Sequence, residues 1–200
     1  RGWRKYEFRS RAANAHPRRN AHRRLWLGEG SLAGKTLLIH AEQGLGDTIQ
    51  FCRYVPLLRD RGSRALLEVP APLKSLMAHS FESAVVVAQG EAPPDFDMQC
   101  PLLSLPLVFR TSRDTIPAAV PYLRAESKRV EQWSGRLEPK RAPRIGLVWS
   151  GGAAHDNDRN RSIPLTRFGR LLALPFEWLC LQKEFREEDG EALGKCGTLR

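Results

Sequence analysis

From Gly34 onward the chain alternates short apolar runs with polar segments of helical period, and this rhythm restricts its fold more than any other feature. Thr36-Leu37-Leu38-Ile39-His40 reads as a buried parallel strand, Ala65-Leu66-Leu67-Glu68-Val69 and Ala84-Val85-Val86-Val87-Ala88 as the next two strands, and Asp95 to Gln99 as a fourth. Between them, Thr48 to Asp60 has Ile49, Cys52, Val55 and Leu58 on one face, with Pro56 kinking or shortening the helix; Leu73 to His79 is a second, short helix. Strands joined through helices imply right-handed crossovers and a parallel sheet. After a proline-rich rim (Pro117 to Tyr122), a polar helix is expected over Glu126 to Leu137, with Val130 and Trp133 on its inner face. Glu138 to Pro143 is a linker by composition, and the rhythm then restarts. Arg144 to Trp149 is a strand, Ser150-Gly151-Gly152 a turn and Ala153 to Ser162 a polar loop. Leu165 to Leu174 is a helix, Trp178 to Gln182 a strand, and no tandem repeat is visible.

This organisation gives an α/β chain with four parts: a basic helical extension (1–33), a Rossmann-like domain (34–125), a helix and linker (126–142), and the beginning of a second Rossmann-like domain (143–200). At 200 residues and 42% hydrophobic content there is enough chain for one domain to one and a half. The first residue is Arg1 rather than Met, so the chain is read as a piece of a longer protein. No apolar run reaches the ~20 residues of a membrane-spanning helix, and no signal-peptide pattern is present. Cys52, Cys100, Cys180 and Cys196 form no C-x-x-C pair, which argues against a zinc site or disulfide framework and for a reducing cytoplasm. The net charge of +10 is concentrated: residues 1–24 carry nine Arg and Lys against Glu7, 9 − 1 = +8. Such an arm can bind phosphate backbones, but it has no recognisable nucleic-acid motif. A solvated helix pair with Trp3, Tyr6 and Phe8 making apolar contacts explains it more simply.

Two motifs carry candidate chemistry. The first, Glu42-Gln43-Gly44-Leu45-Gly46-Asp47-Thr48-Ile49-Gln50, lies at the carboxyl end of the first strand, where parallel sheets bind ligands. A dinucleotide fingerprint would want a third small residue where Ile49 stands, so the pattern is weak for NAD. Asp47 is open to two readings, a helix N-cap or a functional carboxylate. The second motif is Ser150-Gly151-Gly152 and the loop holding His155, Asp156, Asn157, Asp158, Arg159, Arg161 and Ser162. The Ser150 hydroxyl, glycine N–H groups and an arginine suit a diphosphate. The competing readings are a plain surface loop and, for Ser162, a helix N-cap. His155 alone is a weak ligand or base signal, and Asp156 with Asp158 falls short of a calcium loop.

Leu25-Trp26-Leu27-Gly28, the run Gly34 to Phe51, Arg53-Tyr54, Cys100 to Pro106 and Val120-Pro121-Tyr122-Leu123 share a further property with Gly146 to Gly151, Asn157-Asp158 and Arg161 to Leu165. Together, over about Leu25 to Gln182, they resemble the C-terminal region of bacterial tetratricopeptide-repeat proteins whose glycosyltransferase domain is similar to the heptosyltransferase family. The resemblance implies a GT-B fold, with an acceptor-side domain and a nucleotide-sugar-side domain. It implies inverting, metal-independent transfer of a sugar from a nucleotide-diphosphate donor, which is a substrate rather than a cofactor. By this resemblance the family's Gly-Asp motif falls on Gly46-Asp47, making Asp47 the candidate base. Its small-residue turn and following basic residue fall on Ser150, Gly151 and Arg161, where heptosyltransferases usually carry lysine. Gln43, Gly44, Gly46, Thr48, His155 and Asn157 are the further acceptor and loop candidates. The family's second domain has several more strands, so this chain is expected to lack much of the donor site and to be inactive by itself. Upstream repeats would recruit a protein partner, and the acceptor is unspecified. The rival reading is an inactive GT-B-like scaffold attached to that interaction module.

Overall fold

The computed structural model describes residues 2–11, 22–153, 156–195, 197 and 199 of the chain. It divides into two compact units, Arg1–Val130 and Glu131–Arg200.

The first unit is a five-stranded, wholly parallel sheet. Its strands are β1 (Arg24–Leu25), β2 (Thr36–His40), β3 (Arg64–Val69), β4 (Ala84–Ala88) and β5 (Met98–Pro101), in the order β1-β5-β2-β3-β4. The alternation of side chains along a strand explains why β2 is apolar throughout. Leu37 and Ile39 enter the main core with Trp26, Leu58, Leu67 and Met77, while Leu38 joins Leu66, Val87 and Phe96 on the other face. Both faces are covered, as parallel sheets require. The fourth strand is displaced from the expected 95–99 to 98–101; just before it, Asp97 donates its N–H to the Thr36 carbonyl at 3.0 Å and its carboxylate accepts the Thr36 N–H at 2.7 Å. Strand β1 lies in the stretch read as a basic helical extension; Trp26 N–H donates to the Gln99 carbonyl, and its indole is buried.

Helices α1 (Gly2–Tyr6), α2 (Leu45–Phe51), α3 (Pro56–Arg59), α4 (Lys74–Ser80) and α5 (Leu105–Val108) surround this sheet. The segment read as one helix from Thr48 to Asp60 is instead three pieces: α2, a 3₁₀ turn (Cys52–Tyr54) and α3. Pro56 has no N–H to give to the Cys52 carbonyl, which accepts from Val55 N–H at 2.9 Å instead, and the tighter turn follows. Helix α6 (Ser127–Arg136) forms where the periodicity predicts it, yet its apolar stripe is not an inner face: Val130 and Trp133 are 50% and 58% exposed.

The second unit pairs β6 (Arg144–Leu147) in parallel with β7 (Glu177–Cys180). Helices α7 (Gly169–Leu172) and α8 (Glu187–Lys195) complete it, around a core of Leu147, Trp149, Leu165, Leu172, Trp178 and Ala192. The helix expected from Leu165 to Leu174 is a 3₁₀ turn (Leu165–Phe168) followed by α7. The strand expected to Trp149 stops at Leu147, because Gln182 rather than a neighbouring strand takes the Trp149 and Ser150 N–H groups. No helix among the described residues is long and apolar enough to cross a membrane.

Candidate functional site

In the first unit the chain moves outward from β2 through β3 and β4, then returns to place β5 on the other side of β2. The carboxyl ends of β2 and β5, paired at His40↔Pro101, therefore flank the point where strand order reverses, the place where open α/β sheets hold ligands. Beneath it, buried His40 and Gln99 meet diagonally across the two strands, Nε2 to Oε1 at 2.8 Å. Above it sits Arg9. Its Nη2 donates to Glu42 Oε2 (2.7 Å) and Ser104 Oγ (2.9 Å), and its Nη1 to Glu7 Oε1 (2.9 Å). Burial alone would lower the affinity of this guanidinium for its proton, but Glu42 and Glu7 outweigh burial and raise it. Part of the basic arm's charge is thus spent internally, since Arg23 also pairs with Asp95 at 2.5 Å.

The Gln43-to-Thr48 turn lies beside this network. Gln43 is exposed, and its Nε2 donates to the Tyr6 hydroxyl at 3.2 Å. Gly44 is the N-cap of α2, which corrects the reading of Asp47 as the cap. Asp47 stands at the third helical position, where its Oδ2 accepts the Gly44 N–H at 3.1 Å. A carboxylate reaching back in this way satisfies a donor that the helix start leaves over. Asp47 is half-buried, and Gly44 and Gly46 next to it are exposed, so solvent reaches the turn. Thr48 is fully buried and donates its hydroxyl to the Gly44 carbonyl at 3.2 Å, which makes it a strut of the turn.

The second unit carries the other motif at the end of β6. Arg161 and Gly151 are in direct contact: a Cβ added to Gly151 would fall 2.4 Å from Arg161 Nη2 and 2.8 Å from Cζ and Nε. Only glycine lets the guanidinium lie against the backbone there. Ser150 is held by Gln182, which accepts its N–H (3.2 Å) and donates to its carbonyl (3.1 Å) and hydroxyl (2.9 Å). The Gly151 N–H, expected to be free for a ligand, already donates to Ser162 Oγ at 3.2 Å. Ser162 is not a helix cap, because its hydroxyl donates to Asp158 Oδ1 at 2.6 Å and accepts from Arg186 at 3.1 Å. That hydrogen bond from Ser162, with Arg186 paired beside it, holds the Asp158 carboxyl below its ordinary range. Asn157 is exposed and turns locally, accepting from Asn160 Nδ2 at 2.6 Å. His155 lies outside the described residues.

A cavity of about 230 Å³ opens here, with Ser150, Arg159, Ser162 and Arg186 in its wall. This is below the ~300 Å³ at which whole-ligand pockets begin, and is of a size for a phosphate group rather than a nucleotide. Sequence reasoning missed Gln182, Arg186 and Asp189. Gln182 stands two residues past β7, beside the turn that follows β6, and a polar residue at that register was the available signal. Arg186 and Asp189 had none: Asp189 is buried by accepting the Trp149 indole N–H at 3.0 Å, a contact only the folded chain reveals. Among the described residues no cluster of His, Cys, Asp and Glu could hold a metal ion.

No family model matches the chain. It is similar to the protein FlbA of Caulobacter vibrioides, with 29% identity over 168 residues. The match covers 74% of this chain but 28% of FlbA, so the chain spans less than a third of that relative's length. Among solved structures it is similar to an iron-containing dodecameric bacterial glycosyltransferase, TibC from enterotoxigenic E. coli H10407. There the identity is 12% and the TM-score 0.49, over 79% of this chain and 45% of that one.

Proposed function

We propose that this chain is part of a sugar-nucleotide glycosyltransferase of GT-B type, of the heptosyltransferase-like kind joined to tetratricopeptide repeats. In this reading the first unit is the acceptor side and Asp47 the general base that takes the acceptor hydroxyl proton. The second unit is the donor side, where Arg161, with Arg159 and Arg186 nearby, stabilises the leaving nucleoside diphosphate. The observation that carries the reading is the seating of Arg161 on Gly151 directly after a parallel strand, at the sheet edge where phosphates are held. Guanidiniums suit the role because they stay charged and pair bidentately with phosphate oxygens. A reducing cytoplasm agrees with the buried, unpaired Cys52 and Cys100.

The rival is a scaffold that holds no donor. Specific contacts favour it: the Ser150 polar groups and the Gly151 N–H are all hydrogen-bonded within the chain, and Arg186 is paired with Asp158. A panel of nucleotide-sugars separates the two. Incubated with the protein that carries this chain, one donor should be hydrolysed or transferred, and that donor's nucleoside diphosphate should bind less tightly to Arg161→Ala. No turnover and no nucleotide binding across the panel would establish the scaffold.

A further inference from the structure

A cavity of about 910 Å³ in the first unit has no residue of the Gln43-to-Thr48 turn in its wall and no part in the reading above. Trp3, Arg4, Arg61, Phe109, Arg110 and Thr111 stand in its wall. Three arginines therefore line one opening, against a single carboxylate residue, Glu29, a surplus of 3 − 1 = +2. Trp3 and Phe109 supply flat apolar surface, and the Arg61 guanidinium lies 5.5 Å from the centre of the Phe109 ring.

Arg110 occupies its place at a conformational cost. It follows α5 in a Schellman turn, with its own N–H on the Leu107 carbonyl (3.0 Å) and the Thr111 N–H on the Pro106 carbonyl (2.8 Å). This closure needs a left-handed residue after the helix, a seat normally taken by glycine. Among the described residues Arg110, at φ 50°, is the non-glycine residue that adopts such a conformation. Strain of this kind is found where a side chain is wanted for something other than folding. The next residue adds an independent sign. Thr111 is buried, its carbonyl accepts the Trp3 indole N–H at 3.0 Å, and its Oγ1 has no hydrogen-bond partner among the described residues. A buried hydroxyl left unmade is costly unless something else completes it.

We propose that this cleft is a binding site for an organic phosphate. The phosphate sits among Arg4, Arg61 and Arg110 and takes the Thr111 hydroxyl, while a planar or apolar body lies against Trp3 and Phe109. No residue of the donor loop lines this cleft, so a ligand here is an effector or an acceptor's phosphate group rather than the donor nucleotide.

The test uses phenyl phosphate and inorganic phosphate as probes, followed by NMR at the Trp3 indole N–H. Both probes should produce saturable shifts, with phenyl phosphate the tighter because its ring adds aromatic contact. Arg110→Gly should weaken phenyl phosphate by about tenfold or more, the effect of losing one charge-assisted contact. The same variant should raise Tm by ~2–5 °C, since glycine suits the left-handed seat. Thr111→Val should leave Tm level or higher, having removed an unpaired hydroxyl, yet weaken binding by about threefold to tenfold. Arg161→Ala should leave these shifts unchanged. Shifts that rise linearly without saturation, or equal affinity in Arg110→Gly and Thr111→Val, would overturn the site. Loss of the shifts in Arg161→Ala would move the phosphate to the donor loop and overturn it equally.

Discussion

Gly151→Ala separates the use of a glycine for folding from its use for seating a ligand group. The backbone at Gly151 is outside the left-handed region, because the positive-φ glycines among the described residues are Gly28, Gly30, Gly34, Gly62 and Gly90. Alanine is therefore tolerated by the backbone, and the nearest obstacle is the Arg161 guanidinium, 2.4 Å from the new Cβ at Nη2. Nonbonded heavy atoms settle at about 3.5 Å, so the guanidinium must retreat by roughly 1 Å. Arg161 is exposed, so its side chain can swing away, and the stability change should stay within about 0.5 kcal/mol. A ligand phosphate would feel the displacement fully. Loss of one charge-assisted contact amounts to about 1.5–3 kcal/mol, or roughly 10-fold to 150-fold in Kd. Calorimetric titration of uridine, guanosine and adenosine diphosphates into wild type and variant gives the affinities, and thermal denaturation gives the stability. Gly152→Ala is the control, since a Cβ there meets nothing within 4 Å. A nucleotide that binds wild type and Gly151→Ala equally would refute the seating of Arg161. A large fall in Tm with no change in binding would make Gly151 a folding residue only.

Other parts of the structure give further expectations. Glu177 accepts the N–H groups of Arg141 and Ala142 and pairs with Arg144, which together hold its carboxyl at about 2, far below its usual value. A depressed carboxylate stabilises fully above its unfolded pKa of about 4.3 and loses that contribution as pH falls toward the folded value. The second unit should therefore weaken between about pH 4.5 and 2, and Glu177→Gln should flatten that slope in an acid titration followed by tryptophan fluorescence. Burial pushes the Cys52 thiol up to about 12 and raises the Cys100 thiol as well, so both should resist a thiol reagent in the native protein while half-buried Cys180 reacts before either, as peptide mapping would show. The second unit exposes Val148, Leu181 and Phe185 beside a sheet of two strands. Open edges and apolar patches of this kind drive pairing, so sedimentation should show concentration-dependent self-association, relieved by Leu181→Lys.

Two strands were legible as unbroken apolar runs: Thr36–His40, buried on both faces, and Ala84–Ala88, an edge strand whose Val85 is exposed, fall where the pattern places them. Their parallel pairing followed from the helices between them. The short strand at Arg24–Leu25 was not legible, since two residues carry no period and its role rests on Trp26 packing far along the chain. Exposure of Trp133 was hidden for the opposite reason: an amphipathic stripe shows that a helix has a face, not that anything covers it. At the candidate site the Gly44–Asp47 turn and the Ser150–Gly151 turn were visible as small-residue clusters after strands. What held them was not, because Arg9 reaches Glu42 and Ser104, and Gln182 reaches Ser150, through contacts between distant segments.

In the proposed transferase Asp47 is a base and not merely a brace for its turn. Asp47→Asn keeps an oxygen that can accept the Gly44 N–H and removes only the ability to take a proton, so stability should change by no more than about 1 kcal/mol, the value of one charge near a helix start. With the donor found by the panel and its acceptor, turnover by the protein that carries this chain should fall by about 10²–10⁴ in this variant while Tm holds. A folded Asp47→Asn variant that keeps most of its turnover would contradict the account and leave Asp47 as a turn residue.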